Sequence, residues 1–326
     1  MAAEFLGGAV HRGDQRNGPG SHGCGDILFY AQDKNDGGQR VIITTYMQAS
    51  DFLARARAEL ERNEVLNGLL LGITLHLQKF PERIEIPPYL ATVEDEGKLI
   101  VAAVMTPPFR LIVTSNQVDA FGEAPSLLIH NLREHGWPVP GVIGPSSLSN
   151  LFAETWTSLT GEVSHLRTHE RLFELTQVIA PRPGPGELRI ATPDDTALVV
   201  RWVKAFQEEA LHTSISDEEA LAWAETRIGN SAVYLWVLPD GAIDSLVATT
   251  RPVSRVISIA PVYTPPELRG HGYASRSVAA LSQHLLDGGW KRCSLFTDLS
   301  NPTSNSIYQQ VGYRPVRDFN EYDFSQ

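Results

Sequence analysis

Apolar and polar positions alternate along this chain in two ways, and the clearer pattern lies in its second half. From residue 188, "LRIAT" is a run of strand length, and "PDDTALVVRWVKAFQEEAL" reads as an amphipathic helix. That helix starts with Asp194 and Asp195, where the helix dipole favours negative charge. "SDEEALAWAETRI" opens with Ser216 followed by Glu219, a capping signature, and predicts a second helix. "AVYLWVL", "DG" and "AIDSLVATTRPV" form a hairpin signal. "RVISIAPVYT" predicts a further strand, and "HGYASRSVAALSQHLLDGG" a helix closed by glycines. "CSLFTDL", "NPTSNSIYQQVGY" and "RPVRDFNEYDF" complete the series as strand, helix and strand. The predicted order is β-α-α-β-β-β-α-β-α-β.

The first half follows a fainter copy of that order. "QRVIITT" predicts a strand, and "ASDFLARARAELERNEVLNGLLLGITLHL" predicts helices. "YLATVEDEGKLIVAAVMTPPFRLIVTS" predicts three strands with "EDEG" as a turn, followed by helices to about Gly161 and a final strand "RLFELTQVI". Between the halves, "APRPGPGEL" holds three prolines and two glycines, which can sustain neither a helix nor an inner strand. The expected division is an extension over 1–40, a first domain over 41–180, a connector over 181–187 and a second domain over 188–326. Residues 1–40 are rich in Gly, Asp, Asn and Arg without sustained periodicity, and read as flexible or partly docked. His11 and His22 within them lack the spacing of a metal site.

At 326 residues the chain is long enough for two domains with real cores. A formal charge of −11 argues against nucleic-acid binding, which needs a basic face. The apolar run from Val65 to Leu77 is broken by Asn67, Thr74 and His76, too short and too polar to span a bilayer. The two cysteines, Cys24 and Cys293, suggest neither a disulfide framework nor a metal site. A cytoplasmic protein without a membrane partner is the resulting expectation.

The candidate chemistry lies in "VYTPPELRGHGYASRS", residues 262–277. Thr264-Pro265-Pro266 ends a strand abruptly, because proline cannot donate to the ladder and restricts the residue before it. Gly270 and Gly272 open backbone conformations closed to other residues. The helix starting near His271 to Ser275 exposes unpaired N–H groups and a partial positive charge. Together these features predict a seat for a pyrophosphate. The P-loop signature is absent, and a lone G-x-G late in its domain is a weak dinucleotide signal.

Arg269-Gly270-His271-Gly272-Tyr273-Ala274 resembles the [RQ]-x-x-G-x-[GA] loop of the GCN5-related N-acetyltransferase (GNAT) superfamily, and its place after the fourth strand fits. "TDLSNPTSNSIYQQVGYRPV" (297–316) is similar to the later part of the same domain. The likeness covers about 188–326; for the first half it rests on element order, with "NEVLNGLLLGI" pointing to a two-domain subfamily. It implies an α/β (α+β) fold of two GNAT-like domains, each a mixed, mostly antiparallel sheet flanked by helices, the first degenerate.

By that resemblance, acetyl-CoA lies where the fourth and fifth strands splay. The backbone of Val262, Tyr263 and Thr264 pairs with the pantetheine arm, and Val262 N–H faces the thioester oxygen. Arg269, Gly270, His271, Gly272, Tyr273, Ala274 and Ser275 hold the pyrophosphate, His271 and Tyr273 through their backbones. Asn301 is an N-cap with Pro302 after it, and shares a helix face with Ser304, Asn305 and Tyr308. Asn301 and Asn305 are expected to contact the coenzyme, and Tyr308 fits the tyrosine that protonates the departing thiolate. Asp298 is the candidate base, with Glu209, Glu321 and Asp323 as further carboxylates in view. The implied activity is direct acetyl transfer to a small-molecule or protein amine. A non-catalytic acyl-CoA-binding module and a transferase of longer acyl groups remain open alternatives.

Overall fold

A computed structural model describes residues 29–30 and 41–326. Cys24, His11, His22 and most of the expected 1–40 extension lie outside the described residues. The first half runs β1 (Phe29–Tyr30), β2 (Val41–Thr45), α1 (Ala49–Leu60), α2 (Gly68–Lys79), β3 (Tyr89–Asp95), β4 (Lys98–Met105), β5 (Leu111–Thr114), α3 (Ala124–Glu134), β6 (Gly141–Pro145), α4 (Ser146–Thr160) and β7 (Val163–Leu175). The second runs β8 (Glu187–Ile190), α5 (Thr196–Ala210), α6 (Asp217–Gly229), β9 (Val233–Val237), β10 (Ile243–Val253), β11 (Val256–Tyr263), α7 (Tyr273–Asp287), β12 (Arg292–Asp298), α8 (Pro302–Val311) and β13 (Arg314–Ser325). The second half keeps the predicted order.

Local chemistry explains most of these elements. Glu96 (φ 49°) and Gly97 (φ 77°) both adopt the left-handed conformation, which a two-residue β3–β4 hairpin turn requires. Ser216 Oγ accepts from Glu219 N–H, while the Glu219 carboxylate accepts from Ser216 N–H at 2.8 Å, so α6 begins with the expected capping box. Asp195 lies in a short turn before α5 rather than in the helix, and its carboxylate binds Arg189 and Thr192.

One strand departs from the sequence reading. "GVIGP", with two glycines and a proline, falls in the stretch expected to be helices up to about Gly161, yet it forms the buried strand β6. Its glycines are there for close approach: a Cβ on Gly144 would come 2.5 Å from the Val113 carbonyl oxygen.

The strands form one sheet of thirteen, in the order β1-β2-β3-β4-β5-β6-β13-β7-β12-β11-β10-β9-β8. Among the described residues, only β5–β6 and β11–β12 pair in parallel. The two halves exchange their last strands. β13 of the second half pairs with β6 of the first, with Phe319 opposite Pro145, and β7 of the first pairs with β12 of the second, with Phe173 opposite Leu295. β7 and β13 then pair with each other at the centre, so the expected two sheets are one.

Neighbouring residues on a strand point to opposite faces, and this places the helices. Leu172 packs in the α1–α2 core and Phe173 in the α7–α8 core. Leu246 packs in the α5–α6 core and Val247 with α7 and α8. Hence α1, α2, α5 and α6 cover one face, and α3, α4, α7 and α8 the other. Among the described residues, no helix is long and apolar enough to cross a membrane.

Candidate functional site

β11 and β12 pair at three positions only, ending with Ser258 opposite Ser294, although β11 continues to Tyr263 and β12 to Asp298. A bulge drives them apart. Val247 of β10 faces Val262 and Thr249 faces Ile259, so Ala260 and Pro261 stand opposite Ala248 alone. Such an extra residue bends its strand, and Pro261 has no N–H to offer a neighbour. The result is a gap between the carboxyl ends of two parallel strands.

The loop leaving β11 closes one side of that gap. A short turn over Pro266–Leu268 leads to Gly270 (φ +83°) and Gly272 (φ +77°), and α7 begins at Tyr273. Gly272 occupies the N-cap position, and no side chain caps the helix. The first-turn N–H groups around Tyr273, Ala274 and Ser275 therefore face outward with the positive end of the helix dipole. This arrangement can hold a diphosphate.

Most side chains of the loop serve the protein itself. Arg269 Nε donates to the Thr264 carbonyl at 2.9 Å, and its guanidinium pairs with Glu209. His271 and Tyr273 stack at 5.6 Å between ring centres, and Arg276 donates to the His271 carbonyl at 2.8 Å. The Val262 side chain packs beside the α7–α8 core, while Tyr263 is buried under α5, where its hydroxyl donates to Glu209 at 2.7 Å. The Tyr263 carbonyl accepts from the Ser245 hydroxyl at 3.1 Å, and the Thr264 hydroxyl donates to that of Ser245.

The other side of the gap is the start of α8. Asn301 Oδ1 accepts from Ser304 N–H at 3.0 Å, the expected cap. Asn305 Nδ2 donates to the carbonyls of Asp298 (2.9 Å) and Asn301 (2.7 Å), while its Oδ1 is buried with no partner in the protein. Tyr308 packs in the core that contains Ile259 and Leu295, the first residues of β11 and β12 beyond the last pair. Burial pushes its hydroxyl up to about 12, so it holds its proton at neutral pH.

The carboxylates divide between two places. Asp298 closes β12 at the mouth of the gap, with Oδ1 accepting from Ser300 N–H at 2.7 Å. Burial raises the Glu209 carboxyl, but bonds from Arg269 and Tyr263 outweigh it and hold the group below the usual carboxylate range. Glu321 and Asp323 lie two strands away on β13, paired with Arg110 at 2.8 Å and 2.7 Å. Sequence reasoning missed Glu170. It is buried on β7 directly opposite Asp298, so both project to the α5–α6 face. Only the exchanged strand brings it there.

The matching position in the first half is closed. Thr114 Oγ1 donates to Asn67 Oδ1 at 2.6 Å, and Asn67 Nδ2 donates to the Leu60 carbonyl and Asn116 Oδ1, both at 2.8 Å. Here α3 starts with Glu123 at the N-cap and Pro125 in its first turn. A carboxylate repels an anion and a proline removes a donor, so this helix start offers no diphosphate seat.

The gap can be tested for acetyl-CoA on this chain's own atoms. An uncapped helix start suits the diphosphate, and the orphaned Asn305 Oδ1 suits an amide N–H of the pantetheine arm. The residues fit the group.

Comparison with known proteins agrees with this geometry. Residues 245–322, which hold β10 to the gap and most of β13, match the family described as FR47-like protein. No curated protein matches the sequence. Among solved structures, a GNAT-family acetyltransferase from Colwellia psychrerythraea superposes with a TM-score of 0.54 at 10% identity, covering 87% of this chain and 99% of that one. A GCN5-related N-acetyltransferase from Sphaerobacter thermophilus gives 0.54 at 16% identity over 86% and 94% of the two chains. A Drosophila protein gives 0.59 at 13% identity over 88% and 98%. At these identities the likeness is one of fold.

Proposed function

On the fold of the GCN5-related N-acetyltransferase superfamily, we propose that this chain is a two-domain N-acetyltransferase moving an acetyl group from acetyl-CoA to an amine by direct attack. The fold supports acyl transfer in general. The single observation that carries the finer reading is the uncapped start of α7, with Gly272 at the N-cap, directly after the strand that parts from β12.

In this reading 188–326 bind the coenzyme, 181–187 connect, and 41–180 are a degenerate companion that narrows access to the acceptor. The N–H groups from Gly270 to Ser275 hold the diphosphate. Arg269 braces the loop. The backbone of Val262, Tyr263 and Thr264 lies along the pantetheine arm, with Asn301 and Asn305 across from it. When bound, the coenzyme supplies an acetyl thioester. Val262 N–H faces the thioester oxygen, where negative charge develops. Asp298 takes the proton that an ammonium acceptor must lose, and Tyr308, still protonated, returns one to the departing thiolate. A companion half that narrows access favours a small-molecule amine over a protein, in a cytoplasmic setting.

Calorimetry with acetyl-CoA, followed by thiol release over a panel of amines, tests the proposal. Binding together with amine-dependent release is expected. No binding by folded protein overturns it. Binding without release from any amine identifies instead a non-catalytic acyl-CoA module, and comparison with longer thioesters decides the acyl chain.

A further inference from the structure

The end of α5 lies across the gap like a lintel. On one side Glu209 holds the Tyr263 hydroxyl at 2.7 Å, at the end of β11. On the other, the Leu211 carbonyl accepts from Arg167 of β7 at 3.3 Å. In the sheet β12 runs between β11 and β7. The last turn of α5 therefore passes over the carboxyl end of β12, on the face that carries Asp298 and Glu170.

Gln207 projects inward from this turn. It continues the buried stripe of Val199, Trp202, Val203 and Phe206, and only 2% of it is exposed. Glu209, two positions on and about 200° around the helix, points away toward Arg269. Thr213 Oγ1 donates to Gln207 Oε1 at 2.8 Å, and the Gln207 carbonyl accepts Thr213 N–H at 3.1 Å. The amide is thus fixed with its oxygen toward the 211–216 loop and its NH2 away from it. That Nε2 is buried and has no acceptor in the protein. A buried donor without a partner is costly, on the order of 1–3 kcal/mol, so one on the helix turn that shares a sheet face with Asp298 and Glu170 is suited to an oxygen brought by a ligand.

We infer that the Gln207 side-chain amide reads an oxygen on the acceptor, so that the substrate is an amine carrying a carbonyl, carboxylate or hydroxyl group near the reacting nitrogen. The inference rests on the acetyl-transfer reading and narrows its substrate class. A site built to donate to a substrate oxygen discriminates strongly against analogues that lack it.

Isosteric amine pairs test this: 2-methoxyethylamine against butylamine, and glycinamide against isobutylamine. The ratio of kcat/KM within each pair is measured by thiol release for wild type, Gln207→Leu and Thr213→Val, with folding checked by thermal melting. Comparing ratios between proteins cancels the intrinsic reactivity of each amine. Gln207→Leu is expected to lower the oxygen preference of at least one pair about 10-fold or more. Thr213→Val, which frees the amide to rotate, is expected to lower it a few-fold. Should Gln207→Leu fail to fold, Thr213→Val on the half-exposed loop decides. Turnover with unchanged ratios overturns this inference alone. No turnover of any amine by folded wild type refutes acetyl transfer, and the inference with it.

Discussion

Glu170 on β7 and Asp298 on β12 stand directly opposite each other, and each comes from a different half of the chain. The exchange of final strands thus does more than join two sheets. It lays a strand of the first half beside β12, which borders the gap of the second, and sets Glu170 against the carboxylate proposed to take a proton from an acceptor.

Asp298→Asn is expected to lower kcat/KM for amines about 100-fold at neutral pH, the low end for general-base loss. Coenzyme affinity by calorimetry should change by less than about threefold, because the proposed role of the side chain is toward the acceptor and not the coenzyme. An unchanged rate removes Asp298 from the chemistry.

Glu209 should behave differently. It neutralises Arg269 of the loop proposed to hold the diphosphate, so Glu209→Gln leaves a bare positive charge there. Tighter coenzyme binding, by about two- to fivefold at low salt and fading as salt rises, is the expected outcome. Weaker binding would mean that Glu209 orders the loop rather than balancing its charge.

Tyr308→Phe is expected to cut kcat about 100-fold with little change in coenzyme affinity. The hydroxyl also predicts a stability profile. Burial raises both Tyr308 and Tyr263 to about 12 from the ordinary tyrosine value near 10, so folding favours their neutral forms. Their contribution is complete below about pH 10 and is lost as pH rises toward 12. Denaturant midpoints should fall across that window, and less steeply in Tyr308→Phe.

Gly272→Ala places a β-carbon on a left-handed N-cap, where it would meet the Arg276 guanidinium at 3.1 Å. The cost to stability should be about 1–2 kcal/mol, while coenzyme affinity drops at least tenfold as the helix start shifts. A melt with and without acetyl-CoA separates the two effects.

Gly144→Ala tests the buried strand β6. With the Val113 carbonyl oxygen in the path of the new carbon, destabilisation above about 3 kcal/mol is expected. Gly229→Ala, in open space at the end of α6, should be within about 1 kcal/mol of neutral.

These residues also mark what a sequence can disclose. Elements whose signals are local were legible: the Ser216–Glu219 box, the Asp240-Gly241 turn, the glycine spacing of the 269–275 loop and the Asn301-Pro302 helix start. β6 was not, because Gly141 and Gly144 answer to the backbones of distant strands. Strand exchange was equally hidden, since alternation marks a strand without naming its neighbour. Glu170 and Gln207 escaped for the same reason. Their surroundings are made by chain segments remote in sequence, and nothing beside either residue distinguishes it from an ordinary surface polar group.

The interleaving of β7 and β13 has a consequence for how the protein can come into being. The sheet of the first half stays unfinished, with one edge of β6 unpaired, until β13 has emerged behind the entire second half. A break in the 181–187 connector would yield two fragments that each carry the other's missing piece. They should persist as an associated pair or not at all, so the halves are interlocked parts rather than exchangeable modules.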